Sequence, residues 1–167
     1  MTQEVKRSYL EINSIKDLKE IPKLSQEYSI NLLDPINFQL NKFFYKNIGK
    51  KHRWVDRLVW MESKWIDYVS DKKVKTYVFK YKDDLAGFFE LIFHYEKNEV
   101  EIAYFGLLEE FQNKKLGSYL LSEAIKISFK DTINRVWLHT CSLDHKNALN
   151  NYIARGMKIY KTEIVII

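Results

Sequence analysis

The stretch that most constrains this chain is Glu99 to Leu121, EVEIAYFGLLEEFQNKKLGSYLL. Val100, Ile102 and Tyr104 alternate with Glu101, Ala103 and Phe105, the period-2 pattern of a strand with two different faces. Gly106 interrupts the pattern where the strand should end, and a strand glycine marks a bulge or a close approach by another group. A short basic turn, Gln112 to Gly117, then leads directly into a helix. Its residues Leu116, Leu120, Leu121, Ala124, Ile125 and Phe129 recur on one side at helical spacing. Strand, basic turn, helix is a phosphate-binding layout. Free amides at the helix start point outward, the macrodipole adds partial positive charge, and Gly117 removes a side chain that would hold an anion away.

The same stretch resembles a known family. Gln112-x-x-Lys115-x-Gly117 is similar to the Gln/Arg-x-x-Gly-x-Gly/Ala signature of the GNAT superfamily of acetyl-CoA-dependent N-acetyltransferases, with Lys115 where the first glycine is expected. A second block, Asp144 to Tyr152 followed by Arg155-Gly156-Met157, is similar to the family's Ala-x-x-x-Tyr…Gly-Phe ending, with Met157 in place of the phenylalanine. Glu101 lies eleven residues before Gln112, the spacing at which the histone-acetyltransferase branch carries its general base. The resemblance covers residues 72 to 160 and implies acetyl-CoA as cofactor.

A length of 167 residues fits a single domain over 1–167 with an ordinary core. Apolar residues make up 46%, which argues against disorder. No apolar run is long enough to span a membrane, and the first segment lacks the apolar middle of a signal peptide, so a cytoplasmic protein that binds no membrane is expected. The single Cys141 excludes an internal disulfide and a multi-cysteine metal site, and the histidines show no ligand spacing; no metal is expected. A net charge of +5 raises nucleic acid as a partner. Only five of the 27 basic residues are arginine, however, and the lysine-rich, asparagine-rich composition reads as codon bias, so no nucleic-acid partner is expected. The expected assembly is a monomer or homodimer.

Along the chain, residues 5 to 13 read as a first strand and 27 to 33 as a second extended piece. Asp34-Pro35 predicts a helix start, with Gly49 its stop. Trp54 to Tyr68 holds three tryptophans in its first twelve residues, and Ser63 could cap a short helix there. This helical aromatic segment, 35–70, is either core packing over a sheet edge or a wall for the acceptor substrate. Asp56 and Arg57 are either an exposed ion pair or part of that pocket. Residues 76–82 and 85–95 form a hairpin leading into the central strand, and 135–140, 144–154 and 157–166 read as strand, helix and strand. The fold class is therefore α/β, a mixed and largely antiparallel sheet flanked by helices. The resemblance implies the GNAT acyl-CoA N-acyltransferase fold, splayed open after the central strand near Gly106, with residues 72–160 as the cofactor-binding core.

The resemblance also implies roles. Glu101 would be the general base, its face shared with Ala103 and Phe105, which should strengthen it; Glu90 on the preceding strand is the rival. Tyr152 falls where the family keeps the tyrosine that returns a proton to the thiolate. Backbone groups of Phe105, Gly106 and Leu107 would hold the thioester arm and carbonyl. The turn Gln112, Asn113, Lys114, Lys115, Leu116, Gly117 and Ser118 would hold the pyrophosphate. There Lys115 cannot imitate glycine if a positive φ is needed, yet it can add a charge-assisted contact. His145 stands where an asparagine often touches the pantetheine arm. Trp54, Arg57 and Glu90 are candidate acceptor-binding residues. The function expected is acetyl transfer from acetyl-CoA to a primary amine of a small molecule or protein. The alternative is a non-catalytic CoA-binding or regulatory domain of the same fold.

Overall fold

The computed structural model describes residues 1–167 and consists of seven strands and four α-helices. In chain order these are β1 (Glu4–Ile12), β2 (Tyr28–Leu32), α1 (Phe38–Gly49), α2 (Glu62–Ser70), β3 (Val74–Tyr81), β4 (Asp84–His94), β5 (Glu99–Leu107), α3 (Leu116–Ser128), β6 (Arg135–Cys141), α4 (Ala148–Ala154) and β7 (Lys158–Ile166). The strands form one sheet in the order β2-β3-β4-β5-β6-β1-β7, antiparallel everywhere except between β5 and β6. The mixed α/β class predicted from the sequence is the class observed.

Two features of this sheet position the site. The first is a bulge. Glu90 pairs with Tyr104 and Leu91 with Ile102, so Ala103 has no partner on β4. The extra residue resets the alternation: Val100 and Ile102 join the core under α3, and beyond the bulge Leu107 does the same while Tyr104 turns to the opposite face. A bulge also bends its strand and increases the local twist. The second feature follows from it. β5 and β6 are in register only from Glu99 to Glu101, opposite Arg135 to Trp137, and then diverge.

One face of the sheet is packed by α3, whose Leu116, Leu120, Leu121, Ala124 and Ile125 meet Leu91, Val100 and Val136. The other face is covered over β3 and β4 by α1, where Phe44 and Ile48 meet Val78 and Phe88. Gly106 belongs to that second contact: a Cβ there would lie 2.7 Å from Ile48 Cγ2. Of the two readings of this glycine, a bulge or a close approach, the close approach is the one observed: it admits α1 to the strand, and the bulge lies three residues earlier.

Several local boundaries differ from the sequence reading. α1 begins at Phe38 behind Asn37, and Asp34-Pro35 is a cis peptide outside the helix. α2 starts behind Met61, with Ser63 already inside it. Most notably, β1 is inserted between β6 and β7, at the opposite end of the sheet from β2.

Candidate active site

The divergence of β5 from β6 opens a cavity of about 1100 Å³. Glu101, the last β5 residue still paired with β6, lies at the apex of the opening and lines it. Past the apex, every second backbone amide of β5 points to where a neighbouring strand would otherwise be, because antiparallel pairing with β4 uses only alternate groups. The cavity runs from there in two directions.

Toward α3 it reaches Gln112, Asn113, Lys115, Gly117 and Ser118. Asn113 and Lys115 both have left-handed backbone, φ 60° and 64°. Lys115 therefore adopts the conformation in which glycine is usual, at a cost of about 1–2 kcal/mol for an L-residue. It is also the N-cap of α3 and makes no side-chain cap, so the first-turn amides have no partner from that side chain. The Gln112 side-chain amide donates to the Leu107 carbonyl at 3.0 Å and ties the turn to the strand end. A Cβ on Gly117 would meet Asn151 Nδ2 and Leu107 Cδ1 at 3.8 Å, ordinary contact distance, and Gly117 itself lines the cavity. Asn151 donates from Nδ2 to the Gly117 carbonyl, 3.2 Å, while its buried Oδ1 has no partner. Tyr152, on the next position of α4, lines the cavity and packs edge-on to Phe105. Burial, and secondarily Asp144, push its hydroxyl well above the ordinary phenol range, so it stays protonated.

The β6–α4 loop is fixed by Asp144, which accepts from the Thr140 hydroxyl and from the Cys141 amide. His145 lines the cavity edge-on to His52, which donates from Nδ1 to the Leu143 carbonyl, 3.0 Å. Burial and then the neighbouring His52 and Lys146 hold His145 below the usual histidine value.

In the other direction the cavity reaches the segment joining α1 to α2. Trp54 and Arg57 line it. Arg57 is only 6% exposed, and its Nη1 donates to both oxygens of the fully buried Glu90 at 3.0 and 3.1 Å. Its guanidinium lies 4.2 Å from the Tyr68 ring centre, 4.3 Å from Tyr104 and 4.8 Å from Trp60. The guanidinium is thus boxed by aromatics and held by Glu90 rather than standing free for an acidic group. The tryptophan cluster divides between core and cavity: Trp65 is core, whereas Trp54 and Trp60 face the cavity.

Of the other residues singled out by sequence, Phe105, Gly106 and Leu107 line the cavity, whereas Lys114, Leu116 and Glu90 do not. Leu116 is buried in the core and can offer a ligand only its backbone. Glu101 has polar company: His94 Nε2 lies 3.1 Å from its Oε1. His94, Tyr104, Asn151 and Arg7, which also lines the cavity, were not singled out. For Asn151 the signal was its place beside Tyr152 in the second motif. Tyr104 was hidden because the bulge reverses its face.

A sequence model of the GNAT acetyltransferase family matches residues 37–157. The chain belongs to the GNAT family. Solved structures of the same fold include a conserved protein of unknown function from Staphylococcus epidermidis, 19% identical with TM-score 0.69, matched over 99% of this chain and 62% of its own. A GCN5-related N-acetyltransferase from Sphaerobacter thermophilus is 10% identical with TM-score 0.74, over 97% of this chain and 50% of its own. An acetyltransferase from Bacillus subtilis, solved in complex with CoA, is 21% identical with TM-score 0.56, over 77% and 75%. The first of these structural neighbours are longer: this chain spans 50–62% of their length. None of the curated proteins compared with it matches. GNAT membership supports acyl transfer as the general chemistry, with CoA thioesters as the family's usual donors. The cavity reaching Gly117 and Ser118, the uncapped start of α3 and the unpaired Asn151 Oδ1 fit such a donor. No helix is long and apolar enough to cross a membrane.

Proposed function

We propose that this GNAT chain is an N-acetyltransferase that moves an acetyl group from acetyl-CoA to a primary amine. The carrying observation is that one cavity joins the open start of α3, a carboxylate at the apex of the strand opening, and an aromatic pocket beyond it. When bound, acetyl-CoA supplies the activated acyl group. The turn Asn113 to Ser118 holds the pyrophosphate through α3 amides, with Lys115 adding charge. The free amides of β5 at Phe105 to Leu107 bind the pantetheine arm and donate to the acyl carbonyl as it gains charge, and His145 borders the same arm. Glu101 removes the proton of the acceptor ammonium, directly or through water, and Tyr152 returns a proton to the departing sulfur. Trp54 and Arg57 form the acceptor wall, with the buried Glu90 holding Arg57 in place. Rigid aromatics on both sides of the apex orient the amine, which makes attack effectively unimolecular.

The test is a screen of acetyl-CoA consumption, read as free thiol, over an amino acid, a polyamine, an aminoglycoside and a lysine-containing peptide. Turnover with at least one amine is expected, and Tyr152→Phe should lower kcat for it with little change in CoA affinity. CoA binding without thiol release on any amine would assign a non-catalytic CoA-binding role instead.

A further inference from the structure

The segment that joins α1 to α2 is turned inside out. Its centre is a buried ion: Arg57 points inward onto Glu90, and its backbone amide donates to the Tyr45 hydroxyl at 3.0 Å. Two overlapping turns carry the chain around that anchor, one closed by the Leu58 amide on the Val55 carbonyl at 3.1 Å, the other by the Trp60 amide on the Arg57 carbonyl at 3.0 Å. With Arg57 and Trp60 turned inward, the aliphatic side chains around them are left outside. Val55, Leu58, Val59, Met61 and, on α2, Ile66 are each 41–84% exposed. Single apolar residues at a surface need no explanation, but a run of them does. The run is continuous with the cavity, because Val55 and Trp60 line it, and so do Lys64 and Asp67 of α2. Its charge also runs against that of the chain. The chain carries +5, yet between 54 and 67 the exposed acids Asp56, Glu62 and Asp67 stand against one exposed cation, Lys64, since Arg57 is compensated by Glu90.

We propose that this surface docks a polypeptide segment bearing apolar and basic residues, and that the acceptor amine is a lysine side chain of that segment. The inference rests on the reading of the cavity as an amine acetyltransferase site and names its acceptor. Charge decides between the occupants of the apolar run. A second copy meeting it across a two-fold axis would set the acidic residues against themselves. An anionic lipid surface would be repelled by them as well. A segment with both aliphatic side chains and positive charge is attracted on both counts. The run extends outward from the cavity rim, so the docked chain stays outside and sends in one side chain. Val59 and Met61 then lie under its apolar residues, and Glu62 and Asp67 beside its basic ones. Inside, the lysine Nζ bonds to the acetyl carbon as the carbon–sulfur bond breaks. Of the two protons that the ammonium gives up, one ends on the CoA sulfur and the other leaves to water. Small free amines reach the same cavity without using this surface.

The experiment measures acetyl-CoA turnover, read as free thiol, on two peptides with blocked ends and a single lysine. In one the lysine is flanked by leucine and arginine, in the other by serine and glutamate. The small amines of the panel above are the reference, and CoA affinity is measured by calorimetry. Wild type is compared with Glu62→Lys and with the double variant Val59→Ser/Met61→Ser, whose two positions are exposed and lose little packing. Wild type should prefer the leucine–arginine peptide by at least about tenfold in kcat/KM. The double variant should lose most of that preference through KM, with kcat, CoA affinity and small-amine turnover unchanged, and Glu62→Lys should likewise raise KM for that peptide alone. Equal kcat/KM for the two peptides in wild type, or a preference that survives in both variants, would overturn the docking surface. Turnover of small amines alone would overturn it too and leave the acetyltransferase reading intact, whereas CoA binding with no thiol release on any amine or peptide would overturn both. A wild-type dimer in light scattering, or flotation with phosphatidylglycerol vesicles, that the double variant abolishes would give the surface to a second copy or a lipid surface and overturn the peptide.

Discussion

At the residue scale the Arg57–Glu90 pair decides most. Both side chains are buried, so each charge is compensated by the other, and the aromatic rings around the guanidinium replace the water that it has lost. Removing one partner leaves the other buried without compensation. Arg57→Leu is expected to destabilise the fold by about 3–5 kcal/mol, whereas adding Glu90→Leu should recover a large part of that loss. Urea unfolding of the single and double variants checks this; a single variant as stable as wild type would mean that Glu90 finds water or another partner. From sequence, Arg57 read as a surface ion pair with Asp56 or as a free pocket cation. Neither reading could see Glu90, because the two residues are 33 positions apart and only the sheet register brings them together. Lys115 shows the opposite case. Its departure from the motif glycine leaves the turn intact, since the lysine takes up the left-handed backbone itself.

Among the elements, β5 makes the site, and its three irregularities have separate jobs. The Ala103 bulge turns Tyr104 toward the aromatic pocket, the loss of pairing after Glu101 opens the cavity, and Gly106 admits α1. The Gly106–Ile48 contact is testable by itself. Gly106→Ala puts a methyl 2.7 Å from Ile48 Cγ2, so α1 must shift, and a cost of about 1–3 kcal/mol in thermal or urea unfolding is expected. An unchanged midpoint would show that α1 yields freely. The strand and the helix after it were legible because each pattern is local: period two, a basic turn, period near four. The bulge position was not, since a single extra residue leaves alternation on both sides and only its phase changes.

For the whole molecule, the sheet order carries what the sequence hid. β1 was read as a strand, but nothing in its own pattern says that it pairs with β6 and β7 from the other end of the chain. The packing also has a pH consequence. Burial is the largest influence on Tyr68, Tyr104 and Tyr152, and it raises each above the ordinary value of 10.0. The folded state therefore keeps these protons when the unfolded chain releases them. Their contribution to stability is complete below about pH 10 and is lost as pH rises further, by up to about 1.4 kcal/mol per tyrosine per pH unit. Unfolding midpoints should hold steady to about pH 9.5 and fall steeply above it. A midpoint flat to pH 11 would mean that the three phenols reach solvent.

The central claim is that the open start of α3 and the gap beside β5 form one site for a CoA thioester. Calorimetric titration of CoA into wild type and Gly117→Val tests it most directly. A Cβ at Gly117 sits at ordinary contact distance, 3.8 Å, from Asn151 Nδ2 and Leu107 Cδ1, and Gly117 lines the cavity, so the branched methyls of valine intrude where the pyrophosphate would lie. CoA binding by wild type, weakened more than tenfold in the variant, is expected, a loss of about 1.4 kcal/mol or more with the fold retained by thermal melting. Equal CoA affinity in the two proteins, or no binding by wild type, would contradict the account.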